Sequence, residues 1–470
     1  MPEKKLWQAL NNRGKKALVI SLVVITFLSF SKIYLTFSQA SALSGYISDE
    51  IWYVPSARLI ANFVLGIHTS YVYNGMYGYT IQLNSSEAVA SCKLKALETG
   101  GIILKDDYVK NNAIAIALPK GTSPSDLCEG TLKIVPGYPM PDNEGVFEYV
   151  NPEHPPLGKY IIALSMYVLG DYPTAWRIPG VIEAGFIVLI AGLIGWKLSG
   201  AFGSILASLA ASLDPLTKNM GSVAMLDIHL AFFTALGLLF YVYNRPLLSA
   251  LFISLSGLVK YSGFFLLPFI MLYISREKRD FFGAILYPSL FSLLLAIIAF
   301  LPLAYHYSIG WVFMQIRSAL AWHMESRPPG PPTSTPIEWI LGYSPFYLSY
   351  NPDISASGSP IIYVPVFVVS LIAPFLYLVE KERPGYELKS YGVMFSIDIF
   401  LLMYCILYAI GNRTLYSFYF TQIVPAFYAS FPQSILILSD RYKSFEELGG
   451  IIKNFFLGYR RKNQLGGNSA

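Results

Sequence analysis

The chain has 470 residues, 54% hydrophobic, 15% aromatic and only 13% charged, with a formal net charge of +5. A soluble domain carries about 25% charged residues, so the composition excludes an ordinary soluble fold. The few Lys and Arg stand between apolar runs, as topology signals do, which gives no footing for nucleic-acid binding.

The chain therefore reads as an all-α polytopic membrane protein. Residues 1–15 form a basic tail containing Lys4, Lys5, Arg13 and Lys15, expected to stay in the cytoplasm. Apolar runs approaching the ~20 residues that cross a bilayer predict spans over 16–37, 177–197, 201–217, 223–243, 246–259, 260–276, 281–304, 360–379, 391–410 and 418–438. The count is about ten, within nine to twelve. Alternation along these spans puts Lys197, Arg245, Arg276 to Arg279, Lys381 to Arg383 and the tail 441–470 on the same side as the N-terminus. Both termini are thus expected in the cytoplasm, with the membrane a plasma or endoplasmic-reticulum-like one. The first span is too long for a signal-peptide core and lacks a small-residue cleavage site, so it reads as retained.

Two segments stand outside the membrane. The first, from about residue 41 to 176, opens with Asp49-Glu50 and a mixed apolar and polar stretch to Gly66, suited to an interfacial helix. Residues 73–149 then turn polar, with strand-like runs over 79–83, 112–118 and 131–135. They predict a small β-rich extracytoplasmic insertion, within which Cys92 and Cys128 are candidates for a disulfide. The second outside segment covers 305–359 and includes the stiff Arg327–Pro332 run. The span-bearing domain covers 16–440.

Ionisable residues gather on the outside face. They are Asp49 and Glu50, Glu153-His154-Pro-Pro-Leu-Gly-Lys159, Arg177, Asp227, His323, Glu338-Trp339 and Arg413. Carboxylates leaving hydrocarbon are costly and mark function by default. Acid, imidazole and guanidinium groups at one surface suit a substrate with an anionic head and a greasy tail. Each has a plainer reading: Asp49 and Glu50 as helix caps, Arg177 and Lys159 as interfacial anchors, His154 as part of a proline turn, Asp227 as an acceptor between helices. No spacing fits a zinc site and no Gly-rich loop fits a nucleotide.

These motifs resemble the protein O-mannosyltransferase family, dolichyl-phosphate-mannose-dependent membrane enzymes of the GT-C fold. Asp49-Glu50 after the first span resembles the family's acidic pair. His154-Pro-Pro-Leu-Gly-Lys159 is similar almost letter for letter to its histidine-diproline motif. Arg177 in Trp-Arg-Ile-Pro, the Leu226-Asp227 segment, Trp322-His323 with Ser334 to Trp339, and Arg413 to Pro425 resemble its later signatures. Two departures stand out. About a hundred residues separate the acidic pair from the histidine motif, and the second loop has no room for the β-trefoil domain of the eukaryotic members.

The resemblance implies a GT-C-type inverting glycosyltransferase. It would move mannose or a similar hexose from a dolichyl- or polyprenyl-phosphate donor to a hydroxyl acceptor on the extracytoplasmic face. The acceptor is a protein Ser or Thr, or alternatively an N-glycan or lipid. Asp49 would be the general base, and Glu50 would orient the acceptor or support the base. Arg177 and His154, with Lys159 or Arg413, would stabilise the departing lipid phosphate. Glu153, Asp227, His323, Glu338 and Trp339 are further candidates. No cofactor or metal is called for, because the lipid phosphate is a substrate and the cations can serve it. A transporter is the rival from another class, but charges at one surface and no paired repeats with broken helices argue against it.

Overall fold

The computed structural model describes residues 14–325, 332–374 and 385–439. The expectations for residues 1–13, 326–331, 381–383 and 441–470 lie outside the described residues. The chain is mostly helical. Helix α1 (Lys15–Ala42) buries one stripe, Ser21, Ile25, Ser29, Lys32, Thr36 and Ala40, and exposes Val19, Val23, Phe27 and Phe30 on the other side. A three-to-four-residue stripe on an apolar helix is what packing on one side and lipid on the other require. After α1 come α2 (Glu50–Leu59), which runs on into a π turn, and a sheet module described below. The bundle resumes with α5 (Leu157–Leu169), α6 (Pro173–Leu213), α7 (Pro215–Gly221), α8 (Leu226–Val242), α9 (Pro246–Val259), α10 (Leu267–Lys278) and α11 (Phe281–Tyr307). Helices α12 (Ile309–Met324), α13 (Pro336–Leu341), α14 (Pro360–Ser370), α15 (Gly385–Ala409) and α16 (Val424–Ser439) complete it, with a hairpin of β6 (Tyr347–Tyr350) and β7 (Asp353–Ser355) after α13.

Each predicted span overlaps helix among the described residues, with turns at 223–225 and 371–372, and residues 375–379 of the span 360–379 lie outside the described residues. Helix α6 is broken at Ser199–Gly200, where Gly200 takes φ 63°, a left-handed conformation open to glycine at little cost. Its two halves match the predicted spans 177–197 and 201–217. Among the described residues, four helices are long and apolar enough to cross a membrane: α1, α6, α11 and the 388–409 stretch of α15. The others are shorter apolar helices, such as the 17-residue α8 and 14-residue α9, which at 1.5 Å per residue reach roughly 25 and 21 Å. The protein is an integral membrane protein.

The module has strands β1 (Val72–Tyr73), β2 (Met76–Leu83), β3 (Ile102–Lys105), β4 (Ala113–Leu118) and β5 (Thr131–Pro136), with α3 (Ser86–Glu98) after β2 and α4 (Pro124–Leu127) before β5. Antiparallel pairing gives the order β1-β2-β4-β3, with β5 also on β2. The register sets Thr80 opposite both Ala115 and Val135. Alternation along β2 and β4 sends Ile81, Leu83, Ile114, Ile116 and Leu118 to one face under Cys92 and Ala96 of α3. Cys92 and Cys128 form a disulfide on that face. The other face places Ala113 and Val135 against Leu59, Ile60, Leu303 and Val312 of the helical body. Sandwiched this way, α2 is buried from Tyr53 to Leu59. It is a packed helix and not the interfacial one expected.

Candidate active site

The acidic pair sits where the chain turns between α1 and α2. Gly45 and Ser48 both take positive φ, which folds the backbone so that Asp49 takes the N-cap position of α2, without a capping hydrogen bond from its side chain, and Glu50 opens the helix. Consecutive residues at a helix start diverge by about 100°, and the two carboxylates part accordingly.

Glu50 points inward and is fully buried. Its Oε1 accepts from Arg177 Nε and the Ala224 amide, each at 2.7 Å, and its Oε2 from Arg177 Nη2 at 2.7 Å and the Ile47 amide at 2.8 Å. Arg177, also fully buried, gives its remaining donors to the Ala40, Leu43 and Gly45 carbonyls at 3.1, 2.6 and 2.7 Å. All five guanidinium N–H groups are used. The pair staples the end of α1, α2, α6 and the approach to α8. Every polar atom of the two side chains is engaged in this staple, which leaves Arg177 no spare donor for a phosphate and Glu50 next to Asp49 as part of its frame.

Asp49 points the other way and is half-buried. The Tyr53 hydroxyl, one turn on, donates to its Oδ2 at 3.4 Å. Burial raises the Asp49 carboxyl above its ordinary value; the Lys260 charge opposes that rise and the Asp227 charge adds to it. Burial and the Asp49 and Asp227 charges hold the Tyr53 hydroxyl well above its usual range, so it remains a donor.

Lys260, between α9 and the 3-10 turn Tyr261–Leu266, donates to both oxygens of Asp227 at 3.0 Å. Its ammonium lies 5.3 and 4.9 Å from the ring centres of Phe418 and Tyr419. Two of its three donors are thus engaged and one remains for a ligand. Lys260 and His154 line a cavity of about 230 Å³, with Tyr404 and Tyr419 beside them and Leu320, Met324, Leu407 and Leu415 as apolar wall. The lining thus combines a cation and an imidazole with aliphatic and aromatic side chains.

The His154–Lys159 run now has a physical account. The His154 ring meets Tyr53 at 5.8 Å between centroids and borders the cavity. The prolines set up the first turn of α5, where Pro156 is the N-cap. Gly158 lets α5 approach α8 and α9, because a Cβ there would meet Leu226 at 2.7 Å and Val259 at 3.2 Å. Lys159 is buried and its Nζ donates to the Asn151 and His154 carbonyls at 2.5 and 2.7 Å. It clamps the loop that presents His154 instead of reaching a phosphate.

The remaining expectations divide. Glu153 accepts from the Tyr149 hydroxyl at 2.5 Å and from Asn151 at 3.3 Å. Glu338 caps α13, taking the Thr335 amide and hydroxyl at 2.7 and 2.8 Å. Trp339 is buried, with its Nε1 donating to Ser334 at 2.9 Å and its ring 5.2 Å from that of Tyr404. These three act in folding, not in the cavity. Arg413 stacks on Tyr408 at 3.8 Å, next to Asn412, which lines the cavity. His323 lies in α12 by its backbone, and its side chain is outside the described residues. No three His, Cys, Asp or Glu side chains gather as a metal site would need among the described residues.

No family model matches the chain, and no curated protein matches its sequence. Among solved structures it is similar to ArnT from Cupriavidus metallidurans bound to undecaprenyl phosphate, at 12% identity and a TM-score of 0.48, covering 92% of this chain and 62% of that one. It is also similar to the archaeal oligosaccharyltransferase AglB from Archaeoglobus fulgidus in complex with an inhibitory peptide and a dolichol-phosphate, at 11% identity and a TM-score of 0.34, covering 84% of this chain and 52% of that one. The chain spans less than two thirds of the length of either protein.

Sequence reasoning missed Lys260. A lone lysine after the apolar run of α9 was the available signal, but it fell on the boundary between two predicted spans and was absorbed into them. It also missed the buried Arg58–Asp171 pair, at 2.5 and 2.9 Å, which ties α2 to the turn before α6 while the Tyr138 amide of the module donates to the same Asp171 at 3.1 Å.

Proposed function

We propose that the chain is an inverting GT-C-type glycosyltransferase that moves mannose, or a similar hexose, from a dolichyl- or polyprenyl-phosphate donor to a hydroxyl acceptor, a protein Ser or Thr in the first instance. The observation that carries this reading is a desolvated Asp49, coupled to the Lys260 charge and linked through Tyr53 to His154, beside a cavity lined by Lys260, His154 and aliphatic side chains. The motif resemblance of Asp49-Glu50 and His154–Lys159 supports the choice of sugar and acceptor.

In this reading the acceptor oxygen attacks C1 of the donor sugar while Asp49 takes its proton. The C1–O bond breaks, the electron pair leaves with the polyprenyl phosphate, and C1 inverts. A carboxylate with a raised pKa is the stronger base while it stays ionised. Lys260, His154 and Arg413 meet the charge that grows on the phosphate as it leaves. Asp227 holds the Lys260 ammonium in place. No carboxylic acid is needed for the leaving group, because a phosphate departs as a stabilised anion.

The test is purified protein in lipid, radiolabelled polyprenyl-phosphate mannose and a Ser/Thr-rich peptide. Label transferred to the peptide, and lost in Asp49→Asn, supports the proposal. Donor consumption with label reaching only glycan or lipid acceptors moves the acceptor to the alternative class. No transfer to any hydroxyl acceptor overturns it.

A further inference from the structure

A second amphipathic site lies at the other end of the α8–α9 hairpin. Asp227 opens α8 and Lys260 follows α9, whereas Asn244, Arg245 and Pro246 form the turn between them. The length of α8, 17 residues, puts that turn roughly 25 Å from the candidate active site. Helix α10 runs the same way, ending in Lys278, and α11 starts back from Phe281. Two turns, Asn244–Pro246 and Lys278–Asp280, therefore meet at this end and border a cavity of about 710 Å³.

The chemistry changes along the helices. The cavity at the turns carries Arg245 and Lys278, both exposed and neither in an ion pair among the described residues. The acid at its rim, Asp280, is engaged as the N-cap of α11, accepting from the Gly283 amide at 2.9 Å. Leu247 and Tyr287 continue from this cavity into an apolar slot of about 440 Å³, lined by Leu290, Phe291 and Leu294 of α11 against Ala250 of α9. The Ser254 and Ser292 hydroxyls, 2.7 Å apart, join α9 and α11 beyond the Pro288 turn. From Tyr287 to Leu294, the α11 residues that line the slot, is seven helical steps, roughly 10 Å. One leaflet is about half of a ~30 Å hydrocarbon core, so the slot suits a chain entering from the cationic end and staying within one leaflet.

We propose that this groove binds an anionic membrane phospholipid, its phosphate between Arg245 and Lys278 and one acyl chain along the α9–α11 slot. Two cations and no uncommitted acid at the polar end select the charge of the head group. The site is separate from the sugar-donor cavity, so its occupancy is independent of the catalytic reading.

The experiment is native mass spectrometry of the full chain released from nanodiscs of phosphatidylcholine, with and without phosphatidylglycerol. Wild type is expected to retain phosphatidylglycerol in preference to phosphatidylcholine. The Arg245→Gln/Lys278→Gln variant is expected to lose about thirtyfold of that preference, a factor of roughly five per cation. Leu294→Trp, which fills the slot and leaves both cations, is expected to lower retention as well, while Lys120→Gln, on the distant module, keeps it. Equal retention of the two lipids by wild type, or wild-type preference in the double variant, overturns the proposal.

Discussion

Asp49 and Glu50 are neighbours in sequence and opposites in use. Glu50 accepts four hydrogen bonds at 2.7 to 2.8 Å and is sealed from solvent with Arg177. Asp49 has one long contact with Tyr53 and faces the charges of Lys260 and Asp227. A charge held by a complete set of partners has no capacity left for a substrate, whereas a desolvated carboxylate with few partners is a base waiting for a proton. The same contrast separates Lys159, spent on two carbonyls inside its loop, from Lys260, which keeps a donor beside the cavity.

The largest expected effect breaks the structural half of this contrast. Glu50→Gln or Arg177→Ala leaves a buried charge unpaired, at a cost of about 3–5 kcal/mol. Both should show up as lost monodisperse protein in fluorescence-detected size exclusion, and Arg177→Lys should rescue neither fold nor yield, because an ammonium cannot reproduce the bidentate grip. A folded Arg177→Ala with weakened donor binding would instead return Arg177 to the phosphate.

Next in size is the module. The Cys92–Cys128 bridge closes a loop with a sequence separation of 36, for which a contribution of about 2–4 kcal/mol is typical. Cys92→Ser should lower the melting temperature of the 72–136 region in hydrogen exchange while the bundle amides stay protected. Equal loosening of both would mean that the module and the bundle unfold together.

Smaller effects sharpen the functional half. Lys260→Met should raise the KM for the lipid-phosphate donor about tenfold, near 1.4 kcal/mol, and spare the acceptor KM. Asp227→Asn, which releases the ammonium, should do so less. Arg413→Ala, next in sequence to Asn412 of the lining, should cost a few-fold at most. A change in acceptor KM alone for Lys260→Met would move Lys260 out of the phosphate site.

The helices and the strands near 79–83, 112–118 and 131–135 were legible because hydrophobic period and length decide them locally. Asp49 and His154 were legible because their motifs are local too. Which of several charged residues is spent and which is available is a tertiary matter. Glu50 and Arg177 lie 127 residues apart, and nothing in either neighbourhood announces the pairing. Lys260 was hidden for the converse reason: a lone charge between two apolar runs looks like a boundary until Asp227, 33 residues away, and the rings of Phe418 and Tyr419 close around it. Helix α3 was passed over because its mixture of small and polar residues resembles loop, and strand β3 because it is only four residues long.

The central claim is that Asp49 is the base and Glu50 is not. Single-turnover sugar transfer by wild type and Asp49→Asn, with donor binding measured on the same samples across pH, tests it most directly. The account predicts unchanged folding and donor affinity, and a loss of transfer of roughly 10²-fold or more in Asp49→Asn. In wild type the base must be ionised to act, so transfer should fall as pH drops through an Asp49 pKa lying above the ordinary carboxylate range. Near-normal transfer by Asp49→Asn, or a wild-type acid limb at an ordinary carboxylate pKa, would contradict the account.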